Sequence, residues 1–147
     1  MPTSSTNPAS TTTPLRIAIP REVHPGERRA AATPQTVMKL CQQGHKVFVQ
    51  SGLGADTSFS DAAYAEAGAE VIDDVRKLWA GADVVLKVRP PEDHPGLAVH
   101  EATLMPERGC LICFVWPAQN RALLDRLNER KATVLAMDCV PRITRAQ

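Results

Sequence analysis

ADVVLKVRPP, residues 82–91, is a continuous apolar run closed by two prolines. A strand with one face in water alternates apolar and polar residues, whereas an unbroken run between turn residues suits a strand covered on both faces, as in the middle of a parallel sheet. Upstream, LRIAIP (15–20), HKVFVQ (45–50) and AEVI (69–72) read as further strands, and downstream CLICFVW (110–116) and ATVLAM (132–137) complete the series. Helical spacing fills the gaps. Thr33 caps a helix that opens on Pro34 and carries Val37, Leu40 and Cys41 before Gly44. A second starts at Ser60 with Ala63, Tyr64 and Ala67 on one face, and a brief third covers Val75 to Trp79. Asn120 caps a fourth with Leu123, Leu124 and Leu127 inward, and residues 92–109, with His94 and His100, read as a polar loop. Strands alternating with helices require βαβ crossovers, so the expected class is α/β: a doubly wound, mostly parallel sheet with helices on both faces.

The 147 residues suit one domain with a real core. Lys plus Arg number 17 against 16 Asp plus Glu, a balance without the charge excess that draws a chain to nucleic acid. No stretch approaches the roughly 18 apolar residues of a membrane helix, and MPTSSTNPASTTTP has neither a basic start nor an apolar run. Residues 1–14 are too poor in apolar surface to offset the entropy of ordering them and are expected to be a disordered tail, with the domain over 15–147. Cys41, Cys110, Cys113 and Cys139 sit among apolar neighbours, which fits a reducing compartment such as the cytoplasm. Cys110 and Cys113 have the spacing of a redox or metal motif, but on a strand residues three apart point to opposite faces.

Ligands of open parallel sheets bind beyond the carboxyl ends of the strands. Those positions hold Arg21 and Glu22, Lys87 and Arg89, Trp116 to Gln119, and Asp138 to Gln147. Gly52 and Gly54 also follow a strand, but Thr57 stands where a dinucleotide fingerprint has its third glycine, so the stretch reads as a turn and the chain shows no nucleotide fold of its own. DCVPRITRAQ (138–147) gathers two arginines, a threonine and a glutamine after a buried strand. Arginine suits phosphate or carboxylate and glutamine suits a carboxamide; a solvated basic loop is the alternative. Lys87, in an apolar strand, either snorkels to water at the strand's end or projects into a cleft, the plainer reading being the first. Arg28 and Arg29 before the first helix read as solvated on spacing alone.

IPREVHPGERRAAATPQTV (19–37), SGLGADTSFSDAAYAEAGAEV (51–71), ADVVLKVRPP, FVWPAQN (114–120) and AMDCVPRITRAQ (136–147) resemble, in order and spacing, the alanine dehydrogenase and nicotinamide nucleotide transhydrogenase family. The resemblance runs from about Arg16 to Gln147. It implies the N-terminal domain of that family, with a Rossmann/flavodoxin-like sheet, as an incomplete fragment lacking the NAD-binding Rossmann domain that follows in the family. It implies NAD as cofactor and a component that passes hydride from NADH to NADP held by another component, coupled to proton translocation. Such a chain would lie peripheral to the inner membrane through NADP-binding and membrane-spanning partners, and would be a homodimer at full length.

The segment matching PRITRAQ lies over the nicotinamide in that family. Arg142, Ile143, Thr144, Arg145 and Gln147 are therefore the implied cofactor contacts, with Gln147 also the implied catalytic residue. Arg29 and Lys87 fall where alanine dehydrogenases hold a keto acid. Trp116 stands where those dehydrogenases keep a histidine, and an indole is no general acid or base near neutral pH, which favours the transhydrogenase branch. Two alternatives stay open: the substrate half of an alanine or related amino-acid dehydrogenase, and a non-catalytic interaction module. The missing nucleotide half also implies weak or no binding of NADH by the chain alone, and an apolar sheet surface left uncovered.

Overall fold

The computed structural model describes residues 13–142. The expected tail, apart from Thr13 and Pro14, and the segment Ile143 to Gln147 lie outside the described residues. The elements run β1 (Arg16–Ile19), α1 (Pro34–Gln42), β2 (Lys46–Gln50), α2 (Asp61–Glu66), β3 (Glu70–Ile72), α3 (Val75–Ala80) and β4 (Val84–Leu86). They continue with β5 (Asp93–His94), β6 (Val99–His100), a 3₁₀ turn (Glu101–Leu104), β7 (Cys110–Cys113), α4 (Arg121–Glu129) and β8 (Thr133–Ala136).

Six strands form one parallel sheet in the order β3-β2-β1-β4-β7-β8. Counting only its own strands, the order is third, second, first, fourth, fifth, sixth, which is the dinucleotide-binding order with its switch point between β1 and β4. The sheet therefore has the topology of a nucleotide fold, contrary to the expectation drawn from the missing glycines. A fingerprint reports one turn, whereas strand order reports all the crossovers.

Alternation assigns the two faces. Ala18, Val85, Leu111 and Val134 pair across the sheet in register and pack with α3, the 3₁₀ turn and α4 through Leu78, Trp79, Met105, Leu123 and Leu127. Ile17, Ile19, Val47 and Val49 point the other way, under Val37 of α1 and Tyr64 of α2. Buried Tyr64 satisfies its hydroxyl by donating to the carbonyl of Ala32 at 2.8 Å. On this second face Leu135 of β8 is 51% exposed and Met137 just beyond is 46% exposed. Among the described residues the cover of α1 and α2 thus stops short of the β8 edge, as expected of an uncovered apolar surface.

Thr33 and Ser60 cap α1 and α2 through their side chains. Asn120 takes the cap position of α4 without capping: its Nδ2 instead donates to the carbonyls of Val115 (2.7 Å) and Trp116 (3.3 Å) in the loop after β7. Residues 51–58 form turns, as the Gly52 and Gly54 reading required, and a Cβ on Gly54 would collide with the Phe59 carbonyl oxygen. That glycine serves its own turn. The polar loop of 92–109 holds more order than expected, since β5 and β6 pair antiparallel and lead into the 3₁₀ turn.

Candidate functional site at the carboxyl edge of the sheet

The chain leaves β1 through buried Pro20 and turns the Glu22 side chain inward, to 2% exposure. Its Oε2 accepts from Lys87 Nζ at 2.7 Å, and its Oε1 accepts the backbone N–H groups of Val88 (2.7 Å) and Arg89 (2.5 Å). One carboxylate therefore ties the loop after β1 to the end of β4. Lys87 does not snorkel: the residue is 5% exposed, and its ammonium also lies 3.5 Å from Glu101 Oε2. The expectation of a solvated strand end fails because two buried carboxylates flank the ammonium.

Glu101 is 1% exposed, and burial pushes its carboxyl above the usual range, against the pull of Lys87. Its Oε1 accepts the Glu92 backbone N–H at 3.1 Å, and Glu92 in turn holds His24 Nδ1 at 2.9 Å. A third buried carboxylate, Glu27, accepts from Arg29 Nε and Nη2 and from Arg89 Nε, each at 2.8 Å. The Arg29 guanidinium holds the Glu27 carboxyl well below the usual carboxylate range, with Arg89 adding to the effect. Arg29 stays mostly exposed, so the solvated reading holds for its side chain but leaves out its ion pair.

Arg89 links the two clusters, since its N–H meets Glu22 and its side chain meets Glu27. Its guanidinium also lies 5.8 Å from the ring centroid of Trp116, which stacks on Phe114 at 6.0 Å and 18°. Trp116 is 37% exposed and has φ of 46°, a left-handed conformation costly for a bulky residue. Two anchors hold it there. Asp138 accepts the N–H groups of Val115 (2.6 Å) and Trp116 (3.0 Å), and Asn120 takes the carbonyls.

Beside Lys87 a cleft of about 240 Å³ is walled by Ala30, Ala31, Leu86, Ile112, Phe114 and Met137. Its lining is largely apolar, and Lys87 borders it with the ammonium itself buried between Glu22 and Glu101. A larger hollow of about 480 Å³ lies at the opposite edge of the sheet, around Asp83 and Gly109, away from these charges.

Lys87, Arg29 and Arg142 are the described members of the expected set. Lys87 borders the cleft, Arg29 is paired with Glu27 just ahead of the lining residues Ala30 and Ala31, and Arg142 is exposed beyond β8. Ile143, Thr144, Arg145 and Gln147 fall outside the described residues. Sequence reasoning missed Glu27 and Glu101; an acid among Ala102, Leu104 and Met105 in a helical turn was the available signal for Glu101. Cys110 and Cys113 lie on opposite faces of β7, Cys113 with Leu111 and Cys110 with Ile112. The thiols are free, no group of three or more metal-ligating side chains gathers among the described residues, and burial pushes Cys113 up to about 12.

Residues 18–147 match the family described as alanine dehydrogenase/PNT, N-terminal domain. The chain is 45% identical over 133 residues to the NAD(P) transhydrogenase subunit alpha of Cereibacter sphaeroides, covering 90% of this chain and 24% of that one. It is 32% identical over 126 residues to the alanine dehydrogenase of Halomonas elongata, covering 86% and 32%. Among solved structures, a transhydrogenase from Sinorhizobium meliloti superposes with a TM-score of 0.79 at 32% identity, over 90% of this chain and 37% of that one. The chain thus spans about a quarter to a third of the length of these relatives.

Proposed function

Since the chain belongs to the alanine dehydrogenase/PNT N-terminal domain family, we propose that it is part of the NAD(H)-binding component of a proton-translocating NAD(P) transhydrogenase. That component passes hydride from NADH to NADP held on a partner. The observation that carries this reading is Trp116. At the carboxyl end of β7, beside the cleft of Lys87, the chain presents an indole that cannot give or take a proton, so a direct transfer between two nicotinamides suits the site better than reduction of a keto acid. Nicotinamides supply the redox chemistry, and the protein supplies position and electrostatics.

The described residues fit NAD as one wall of its site only. Arg142 is exposed at the right edge, whereas the switch point has no glycine turn and is closed by Glu22. Ile143, Thr144, Arg145 and Gln147 would extend the wall, with Gln147 orienting the nicotinamide amide. The other wall, a homodimeric assembly, and the NADP-binding and membrane-spanning partners belong to the longer protein this reading implies. No helix among the described residues is long and apolar enough to cross a membrane, which fits a peripheral component.

A second reading, the substrate half of an amino-acid dehydrogenase, draws on Lys87, which borders the cleft, and on the exposed Arg29 next to Ala30. One chimera separates the two. Residues 16–147 replace the matching first part of the Cereibacter sphaeroides subunit, assembled with its partners, and two reactions are assayed: NADP⁺ reduction by NADH, and NADH-dependent reductive amination of pyruvate. Transhydrogenation without amination is expected, and its loss on Gln147→Ala. Amination alone would overturn the proposal in favour of the second reading.

A further inference from the structure

We propose that Asp138 is a positioning residue for hydride transfer: its carboxylate holds Trp116 and the segment that begins at Arg142 in one fixed geometry, against which a nicotinamide is oriented. The nicotinamide rests on the transhydrogenase reading, whereas the coupling of the two protein parts rests on geometry alone.

The parallel pairing of β7 with β8 ends at Cys113 and Ala136. Beyond it a side chain takes over. Asp138, two positions past the last pair, accepts the N–H of Val115 on one oxygen (2.6 Å) and that of Trp116 on the other (3.0 Å). Asn120 Nδ2 donates to the carbonyls of the same two residues. All four backbone polar atoms of Val115 and Trp116 thus meet a side chain.

These bonds hold a conformation that the core does not need. Trp116 sits at φ of 46°, where a bulky side chain is strained, and its exposed ring regains little by burial. Glycine or asparagine would suit such a turn better. Strain kept at an exposed aromatic residue points to a use outside the core. The indole has a definite place, stacked on Phe114 of the cleft wall and 5.8 Å from the Arg89 guanidinium.

The same carboxylate governs where the chain goes next. Asp138 lies in the 3₁₀ turn Met137–Cys139, in which the Val140 N–H donates to the Met137 carbonyl at 3.4 Å. Only residues 139–141 separate it from Arg142, and Pro141 stiffens the last step. One clamp therefore sets both the indole and the start of the segment after β8. Direct transfer between two rings tolerates little misplacement, so loosening the clamp should lower the rate more than the affinity.

Two measurements test the proposal. In the 147-residue chain, amide relaxation NMR compares the wild type with Asp138→Ala and with isosteric Asp138→Asn, which turns a donor toward one of the two N–H groups. Order parameters at Trp116 and Arg142 should fall together in Asp138→Ala and less in Asp138→Asn. A fall at Trp116 alone, or at neither, would overturn the coupling. If Asp138→Ala does not fold, Asp138→Asn decides by the same pair of signals.

In the chimera described above, NADP⁺ reduction is followed with NADH and with NADH deuterated at the transferred position. Asp138→Ala should lower kcat by about 10-fold to 100-fold, keep KM for NADH within about twofold, and enlarge the isotope effect. An unchanged kcat, or a lower kcat with the same isotope effect as expected of a smaller folded fraction, would overturn the positioning role. A parent chimera that transfers no hydride would sink the transhydrogenase reading instead, and the relaxation data would still decide the coupling.

Discussion

Asp138 accepts the backbone N–H of Trp116 at 3.0 Å and so fixes, from the neighbouring strand's end, an aromatic ring that stacks on Phe114 of the cleft wall. The same carboxylate takes the Val115 N–H, and with the Asn120 amide it leaves the loop after β7 few ways to relax its left-handed residue. Asp138→Ala is therefore expected to free Trp116. Tryptophan fluorescence should show faster anisotropy decay and easier iodide quenching, while β-sheet circular dichroism stays. An unchanged decay would mean that Phe114 and Arg89 hold the ring by themselves.

Acid should undo these anchors together. The N–H of Val115 keeps Asp138 below its ordinary value of 3.8, the Ser51 hydroxyl keeps Asp61 below the same value, and Arg29 keeps Glu27 below 4.5. A carboxyl depressed in the fold adds stability above its unfolded pKa and loses it as pH falls through the folded one. Urea midpoints are expected to hold from neutrality down to about pH 5 and to fall below about pH 4. In Glu27→Gln the fall should be shallower. A midpoint independent of pH between 5 and 3 would contradict the assignment.

Glu101 has the opposite sign. Its folded pKa is raised above the ordinary 4.5, chiefly by burial, so its contribution is complete below that value and is lost as pH rises through the folded pKa. Facing it are Lys87, Glu22 and the Glu92 N–H. Glu101→Gln cannot ionise, so the difference between its urea midpoint and that of the wild type should move in the variant's favour as pH rises above the ordinary 4.5. Parallel curves would count against the assignment.

Lys87→Met removes the one ammonium between two buried carboxylates. Breaking a buried pair from one side costs about 3–5 kcal/mol, and equilibrium urea denaturation should show a loss of that size. A loss under about 1 kcal/mol would mean that Glu22 is held by the Val88 and Arg89 N–H groups alone.

Cys139 is exposed, whereas Cys113 is fully buried with its thiol pushed up to about 12. Short treatment of the native chain with iodoacetamide should label Cys139 and spare Cys113 until urea is added. Equal labelling of both under native conditions would contradict the buried strand.

Much of the fold was readable before any coordinates. Thr33 with Pro34, and Ser60 ahead of Tyr64, mark helix starts through local hydrogen bonding, which sequence spacing carries. Tertiary partners decided the rest. ADVVLKV narrows to Val84–Leu86 because the residues beyond turn their N–H groups to Glu22, 66 and 67 positions away. The β5 and β6 pairing comprises two residues a side, too short for any period. Lys87 could be singled out by resemblance, but its pairing with Glu22, 65 positions away, could not, since such an ion pair leaves no local pattern. Asn120 shows the limit from the other side: the position was legible, and the bond its side chain makes was not.

The two strands at the centre of the sheet, β1 and β4, are held together by partners as remote as Arg16 and Asp83, 67 positions apart. β1, β2 and β3 can meet over single helical crossovers, but the sheet gains its middle only when the longer stretch from β1 to β4 has closed. Such distant parallel pairing slows folding. A nascent chain would thus carry a half-built sheet, its edge at β1 open to other chains, until β4 arrives, and the speed of its synthesis bears on how much of it reaches the native state.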